Sequence, residues 1–283
     1  HVESFTDPLV ECKSCHKRFH PDEIKDKKCP DCAGGLTEPK LFNLLMEASV
    51  GVVEGEKQKV YLRGEITQGV HVNFKQVLDS QRVSIPFGIA QIGKAFRNEI
   101  TPSKLTFRSR EFEQMELQYY IKPDEKEAQK QIEYWKEERI MWYRSLCITR
   151  KQLRFREHAP DERAHYAKAA WDVEYNIPDS GWYELEGIHN RGDWDLRRHQ
   201  EYSGEDMRYF DDDTKERYLP WIIETSGGVD RAALFFLIDA YHEEQVTNSE
   251  KRVVLKLHSQ LAPYKVAVFP LLANKPELRA NSA

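Results

Sequence analysis

Residues 96–118 read FRNEITPSKLTFRSREFEQMELQ. Arg97, Arg108 and Arg110 stand among Glu99, Glu111, Glu113 and Glu116, and the second half alternates with period two, as a strand does. Taken as a strand, 112–121 places Met115, Leu117, Tyr119 and Ile121 on one face and Phe112, Gln114, Glu116, Gln118 and Tyr120 on the other. The first set is the expected core face and the second a polar sheet surface. The whole stretch then reads as strand, loop and strand, with Arg97 before the loop and Arg108 after it. Two guanidiniums converging from such a hairpin make a clamp for a polyphosphate, because each offers planar, bidentate hydrogen bonding. Phe112 follows Arg108 by an even step along the strand, so it shares that face and can stack a planar base.

The same pattern recurs. Ile222, Glu224 and Ser226 share a face of a strand over 219–226, and Trp182, Glu184 and Glu186 share one over 182–188. A solvated face of an antiparallel sheet carries such residues too, and the pattern leaves both readings open. Small residues flank the carboxylates: Ser226, Gly227 and Gly228, Gly187 and Gly64. They let a ligand or another backbone approach closely. The composite is a nucleoside triphosphate site beside a site for a small amine.

Around these strands lie others, at 59–65, 86–99, 110–122 and 171–177. An amphipathic helix is predicted over 124–146, with Ala128, Ile132, Trp135, Trp142 and Leu146 at helical spacing. DRAALFFLIDAY, 230–241, is apolar enough for a helix buried under the sheet. Strands and helices do not alternate regularly, which predicts an α+β domain on a mainly antiparallel sheet. Neither GxGxxG nor GxxxxGK[ST] is present. Near the end, YKVAVFPLL reads as a short buried strand that opens another α/β domain and breaks off.

The chain of 283 residues is 40% hydrophobic, 11% aromatic and 31% charged, with a net charge of −5. It contains no apolar run near the roughly 20 residues of a membrane helix, and no segment of it reads as a signal peptide. A generic nucleic-acid binder would be basic overall, so any such contact is local. Residues 94–110 and 144–156 are the basic stretches, each open to being a contact or a solvated face. The chain opens on HVESFTDPLV, which points to a natural N-terminus lying upstream.

Residues 12–32 read CKSCHKRFHPDEIKDKKCPDC, two CxxC pairs. Two such knuckles close a tetrahedron of thiolates, so Cys12, Cys15, Cys29 and Cys32 are the predicted ligands of a structural Zn2+. His16 and His20 read as surface residues. Cys147 stands alone, and this cysteine usage fits a reducing, cytoplasmic setting.

These motifs together resemble the class II aminoacyl-tRNA synthetases, in particular the dimeric glycyl-tRNA synthetase family. FRNE, a loop and FRSREF are similar to that class's motif 2, and ETSGGVDRAALFFLIDAY to its motif 3. YLRGEITQG resembles the glycyl family's YLRPETAQG; GWYELEGIHNRGDWDL, AHYAKAAWDVEY and the CxxC pairs followed by LTEPKLFNLL resemble further blocks. The likeness runs over essentially the whole chain, with the motifs in order.

The resemblance implies an antiparallel sheet flanked by helices, with a zinc-ribbon-like insertion. Residues 1–40 would be that insertion and its lead-in, 41–250 the catalytic domain, and 251–283 a linker and the start of a truncated anticodon-binding domain. It implies ATP-dependent activation of glycine, transfer to tRNA(Gly), Mg2+, and a homodimer. Arg97, Glu99, Arg108 and Arg231 would be the catalytic set. Asn98, Phe107, Phe112, Glu184, Leu185 and Gly228 would complete the ATP site. Glu65, Glu116 and Glu224 would surround the ammonium group of glycine, Arg191 would pair with its carboxylate, and Phe112, Gln114 and Ser226 would close the pocket. The family's motif 1 should precede His1 and its anticodon-binding domain should follow Leu261. Gly64, Ile66 and Thr67 stand where the family has Pro, Thr and Ala, and Thr225 and Gly227 where it has Pro and Ala, which suggests a looser loop after Arg63. Two other readings remain: a truncated paralogue that loads a carrier other than tRNA, and a synthetase-like accessory subunit without activity.

Overall fold

A computed structural model describes residues 2, 5–21, 24, 26–100, 102, 106–164, 166–247, 250–272 and 274–275. Along the chain, β1 (Thr6–Glu11), β2 (Arg18–Phe19) and β3 (Lys40–Asn43) form a small antiparallel sheet around the cysteine knuckles. A hairpin of β4 (Glu47–Val50) and β5 (Gln58–Tyr61) leads to α1 (Thr67–Gln81). β6 (Phe87–Phe96) and β7 (Glu111–Ile121) are the predicted hairpin, followed by α2 (Glu125–Ser145). Then come β8 (Leu153–Glu157), β9 (Ala169–Ile177), β10 (Gly181–Gly192) and α3 (Trp194–Ser203). A short pair, β11 (Tyr209–Phe210) and β12 (Arg217–Tyr218), precedes β13 (Trp221–Gly228), α4 (Val229–Ala240) and the hairpin β14 (Tyr241–Gln245) and β15 (Lys251–Leu255). β3 straddles the expected boundary at 40, and the last hairpin pairs across the one at 250.

The main sheet has six strands in the order β6-β7-β13-β10-β9-β8, antiparallel throughout. On its back, Ile140 and Tyr143 of α2 and Phe235 and Phe236 of α4 pack with Val173, Tyr175, Leu185 and Ile188. Asp124 starts α2 by accepting the Glu127 amide at 2.8 Å, a side-chain cap for an otherwise unpaired N–H. α4 buries only one face, since Leu237 is exposed; the expectation of a fully buried helix is corrected to that extent. On the front, Phe74 and Leu78 of α1 and Leu196 of α3 pack on Tyr120 and Ile222. Neither of these front helices was read from sequence, although Val70, Phe74 and Leu78 recur at four-residue steps.

The front helices reverse the expected burial of β7. Gln114, Glu116, Gln118 and Tyr120 are buried, whereas Met115, Leu117 and Tyr119 are only half-buried. The alternation is as predicted. The polar face is the more deeply covered one because α1 and α3 roof it at the Tyr120 end and leave its middle as a cavity.

β10 contains a second correction. Glu184 pairs with Glu174 but Glu186 pairs with Val173, so Leu185 is the extra residue of a bulge. The bulge turns Glu186 away from Trp182 and Glu184 to the back of the sheet. There its carboxylate accepts two hydrogen bonds from Arg139, at 2.6 and 3.0 Å, and one from Tyr143 at 2.7 Å. A third concerns YKVAVFPLL. Residues 264–270 form no strand, and Tyr264, Val266, Val268 and Phe269 are exposed. A segment of this size has no sheet neighbour to hydrogen-bond and too little surface to bury.

Candidate active site

The open middle of the front face is a cavity of ≈ 310 Å³. Its two ends differ in charge. Arg97, Arg108 and Arg231 line one end with Glu99, Phe107, Phe112, Glu184 and Gly228; Glu65, Gln114, Glu116, Glu224 and Ser226 line the other with Arg191. The hairpin brings Arg97 and Arg108 together, and α4 delivers Arg231 in its first turn.

At the arginine end, Arg97 Nε donates to the Gly64 carbonyl at 3.0 Å and its guanidinium lies 5.4 Å from the Phe112 ring centroid. Arg231 donates to the Glu184 carbonyl at 3.2 Å and lies over the Phe107 ring at 4.5 Å. Glu184 Oε1 is 3.4 Å from Arg231, and Arg108 Nε is 3.9 Å from Glu99 Oε2. Asp230 accepts the Glu113 amide at 3.0 Å, which ties the start of α4 to β7.

At the carboxylate end, Glu116 accepts from the Thr67 hydroxyl at 2.7 Å and from Ser226 at 2.9 Å. Glu224 accepts from Gln118 at 2.7 Å and from Arg191 at 3.1 Å, and His189 Nδ1 lies 3.0 Å away. Burial, with Glu224 next to it, pushes the Glu116 carboxyl up to about 8. Burial would push Glu224 up as well, but the Arg191 guanidinium overcomes that and holds it well below the usual carboxylate range. Burial also raises Glu65.

Arg191 is itself buried. It makes two hydrogen bonds to Asp195, at 2.7 and 3.0 Å, while the Tyr166 ring covers its face at 3.8 Å. Four of its hydrogen bonds are thus committed to Asp195 and Glu224. Arg191 also lines the cavity wall, directly behind Glu224. Two expected cavity residues lie elsewhere. Leu185 is fully buried in the core behind the sheet, since it follows Glu184 directly along the strand and faces the opposite side. Asn98 is exposed and lies outside the cavity wall; its amide donates to the Leu44 carbonyl at 2.7 Å.

The loop after Arg63 is held at several points. Gly64 lies against Phe5 and Leu45, the Ile66 amide donates to Gln114 at 3.2 Å, and Thr67 reaches Glu116. Tyr166, His189 and Asp195 were not singled out from sequence, and Thr67 only as a departure from the family pattern. His189 had a signal, since it sits two residues before Arg191 on one strand. Tyr166 had only its place in the block AHYAKAAWDVEY, because it reaches the site through folding. In the basic stretch 144–156, Arg154 and Arg156 turn back onto Glu174 and Asp172 of the neighbouring strand.

The cysteine knuckles form a separate centre. The sulfurs of Cys12, Cys15, Cys29 and Cys32 lie within 4.8 Å of one another, with Cys12 3.5 Å from Cys32 and Cys15 3.6 Å from Cys29. Tetrahedral zinc with bonds of about 2.3 Å needs sulfurs about 3.8 Å apart, so the donor set fits. The Cys15 and Ser14 amides both point at Cys12 Sγ at 3.4 Å, and the first of these is the main cause that pushes its thiol down to about 6. Gly34 is needed beside them, since a Cβ there would stand 2.6 Å from Ser14 Oγ and 3.1 Å from Cys12 Sγ.

Residues 52–240 match the family described as tRNA synthetase class II core domain (G, H, P, S and T). This chain belongs to the class II tRNA synthetase core family. It is 47% identical over 282 residues to the glycine–tRNA ligase of Treponema denticola, covering 96% of this chain and 62% of that protein. It is 49% identical over 300 residues to the glycine–tRNA ligase of Caldanaerobacter subterraneus, covering 96% and 64%. The chain therefore spans a little under two thirds of the length of these relatives. Among solved structures, a Giardia lamblia prolyl-tRNA synthetase in complex with prolyl-adenylate aligns with a TM-score of 0.53 at 19% identity, over 68% of this chain and 36% of that one. That likeness is one of fold, and it agrees with the class II synthetase-like antiparallel sheet flanked by helices. Among the described residues, no helix of this synthetase core is long and apolar enough to cross a membrane.

Proposed function

We propose that this class II core carries the adenylate-forming site of a glycine–tRNA ligase. The observation that carries the reading is the polarity of one cavity, with Arg97, Arg108 and Arg231 at one end and Glu65, Glu116 and Glu224 at the other. The names of the relatives point the same way. ATP would lie along the arginine end, with its α-phosphate at Arg97, its outer phosphates at Arg108, and adenine between Phe112 and Arg231. Glycine would sit at the carboxylate end, its ammonium group among Glu65, Glu116 and Glu224, with Ser226 and Gln114 closing the space.

The glycine carboxylate attacks the α-phosphorus and pyrophosphate leaves, giving glycyl-adenylate; a terminal ribose hydroxyl at the 3′ end of tRNA(Gly) then attacks the glycyl carbonyl, and AMP leaves. Alignment and cationic stabilisation carry such a step, and no covalent protein intermediate is required. Glu184 would hold Mg2+ together with the phosphates, where the ion neutralises developing charge. A carboxylate-walled cavity rejects larger amino acids by overlap, and no smaller amino acid exists to be excluded. Zn2+ on the four thiols would be structural, since a closed set of four leaves no open position. Homodimerisation belongs to the same reading.

The test is glycine-dependent exchange of pyrophosphate into ATP by the full-length protein. Exchange with glycine and not with alanine, and its loss in Arg97→Ala, is the expected result. A folded full-length protein without exchange would overturn the reading.

A further inference from the structure

Arg97 lies near two aromatic rings. Its guanidinium carbon lies 5.4 Å from the Phe112 centroid and 5.4 Å from that of Phe5. Phe112 belongs to the same hairpin, but Phe5 arrives from the start of the chain, at the foot of β1. The Phe5 carbonyl accepts the Leu44 amide at 2.9 Å, while the Leu44 carbonyl accepts the amide of Asn98, the neighbour of Arg97, at 2.7 Å. One residue thus ties Phe5 to the backbone beside Arg97. β1 is paired with β3 and runs directly into Cys12, so the foot that carries Phe5 is anchored in the thiol ribbon. Phe5 also lines a second cavity of ≈ 290 Å³, which shares Glu65, Arg97, Tyr166 and Arg191 with the site.

The position opposite is shaped for this ring. A Cβ on Gly64 would stand 2.7 Å from Phe5 Cε1 and 2.8 Å from Cζ, closer than real contacts allow, and 2.9 Å from Leu45. The Gly64 carbonyl meanwhile accepts from Arg97 Nε at 3.0 Å. Gly64 therefore does two things at once, admitting the ring and orienting the guanidinium.

We propose that Phe5 is a positioning residue for Arg97, holding the guanidinium against Phe112 and over the cavity, and that Gly64 is the residue that makes room for it. The proposal rests on the reading of Arg97 as the α-phosphate contact. A long arginine side chain has many rotamers, and a phosphate must otherwise order it on binding. With two rings 5.4 Å from its guanidinium carbon and Nε on the Gly64 carbonyl, fewer rotamers stay open to the side chain, so less ordering is left for the ligand to impose.

The experiment measures pyrophosphate exchange and melting for the full-length protein and its variants. Phe5→Leu keeps apolar bulk against Gly64 but removes the π face, and is expected to lower kcat/KM for ATP by about 3- to 30-fold, the range of a cation–π contact. The KM for glycine and the melting midpoint should hold, the former within about twofold. Phe5→Tyr keeps the ring and should restore ATP kinetics. Gly64→Ala should reproduce the ATP defect, and the double variant should be no worse than either single change, since both displace one ring. Unchanged ATP kinetics in Phe5→Leu overturn the proposal and leave the functional reading standing. A parallel loss of glycine KM and melting midpoint also overturns it, because that is the mark of a scaffold residue. Wild type without exchange overturns both.

Discussion

Glu116 and Glu224 approach one another from adjacent strands and share two donors, yet they hold their charge differently. The Thr67 hydroxyl is 2.7 Å from Glu116 and 3.4 Å from Glu224; the Gln118 amide is 3.4 Å from the first and 2.7 Å from the second. Arg191 contacts only Glu224 of the two and keeps it ionised. Glu116, buried beside that charge, is pushed up to about 8 and is largely neutral at pH 7.

A cation bound between them should therefore displace a proton from Glu116. Glycine binding is expected to release close to one proton at about pH 7, and the KM for glycine should fall as pH rises from about 6.5 toward 8. Calorimetry in buffers of different ionisation enthalpy measures the proton directly. Glu116→Gln should abolish the release and weaken glycine binding. Proton-neutral binding in the wild type would show that the ammonium group lies elsewhere.

The same shift makes a stability statement. The folded value of Glu116 lies above its unfolded value of about 4.3. Its contribution is therefore fully present below about pH 4.3 and is lost as pH rises through about 8. Glu116→Gln should gain on the wild type by about 2–3 kcal/mol between pH 6 and pH 9, measured by urea unfolding at each pH. An equal difference at both values would remove the assigned shift.

Arg191 and Arg97 should fail in different ways. Arg191→Met leaves Asp195 and Glu224 buried without their shared cation, and should cost about 3–5 kcal/mol of stability. Arg97→Ala removes a cavity-lining group and should cost about 10²- to 10³-fold in exchange rate, with a melting midpoint near the wild type's. Denaturant unfolding alongside exchange kinetics separates the two. Normal stability in Arg191→Met would mean that the pair has other partners.

Metal removal should be felt locally. If Zn2+ organises the four thiols, chelation should release one ion per chain and strip hydrogen-exchange protection from β1, β2 and β3 while β7, β10 and β13 stay protected. Cys12→Ser should do the same. Unchanged protection across 6–43 after chelation would show that the ribbon stands without metal.

The hairpin of 96–118 was legible because its evidence is local. Period-two alternation, two arginines flanking a loop and a following aromatic all lie within one stretch. The thiol ribbon was legible for the same reason, through the spacing of its CxxC pairs. α1 and α3 were not read, since their apolar positions are few and are completed only by Tyr120 and Ile222 of distant strands. Glu186 was misplaced because a single extra residue in β10 flips every later side chain to the other face, and alternation alone cannot locate it.

By itself, then, the sequence determined which chemical groups are present, on which local elements, and in which order: arginines on a hairpin and at a helix start, carboxylates on strands, thiols on knuckles. Only the tertiary structure decided how those groups are charged and which of them remain open to a ligand. Glu116 and Glu224 look alike in sequence; Arg191 against one and α1 over the other make them different. Only the fold brings Asp195 and Glu224 to the Arg191 guanidinium. The physical reason is that desolvation and Coulomb interaction depend on distances in space, and a strand's periodicity carries no information about what another strand or helix will bring to its face.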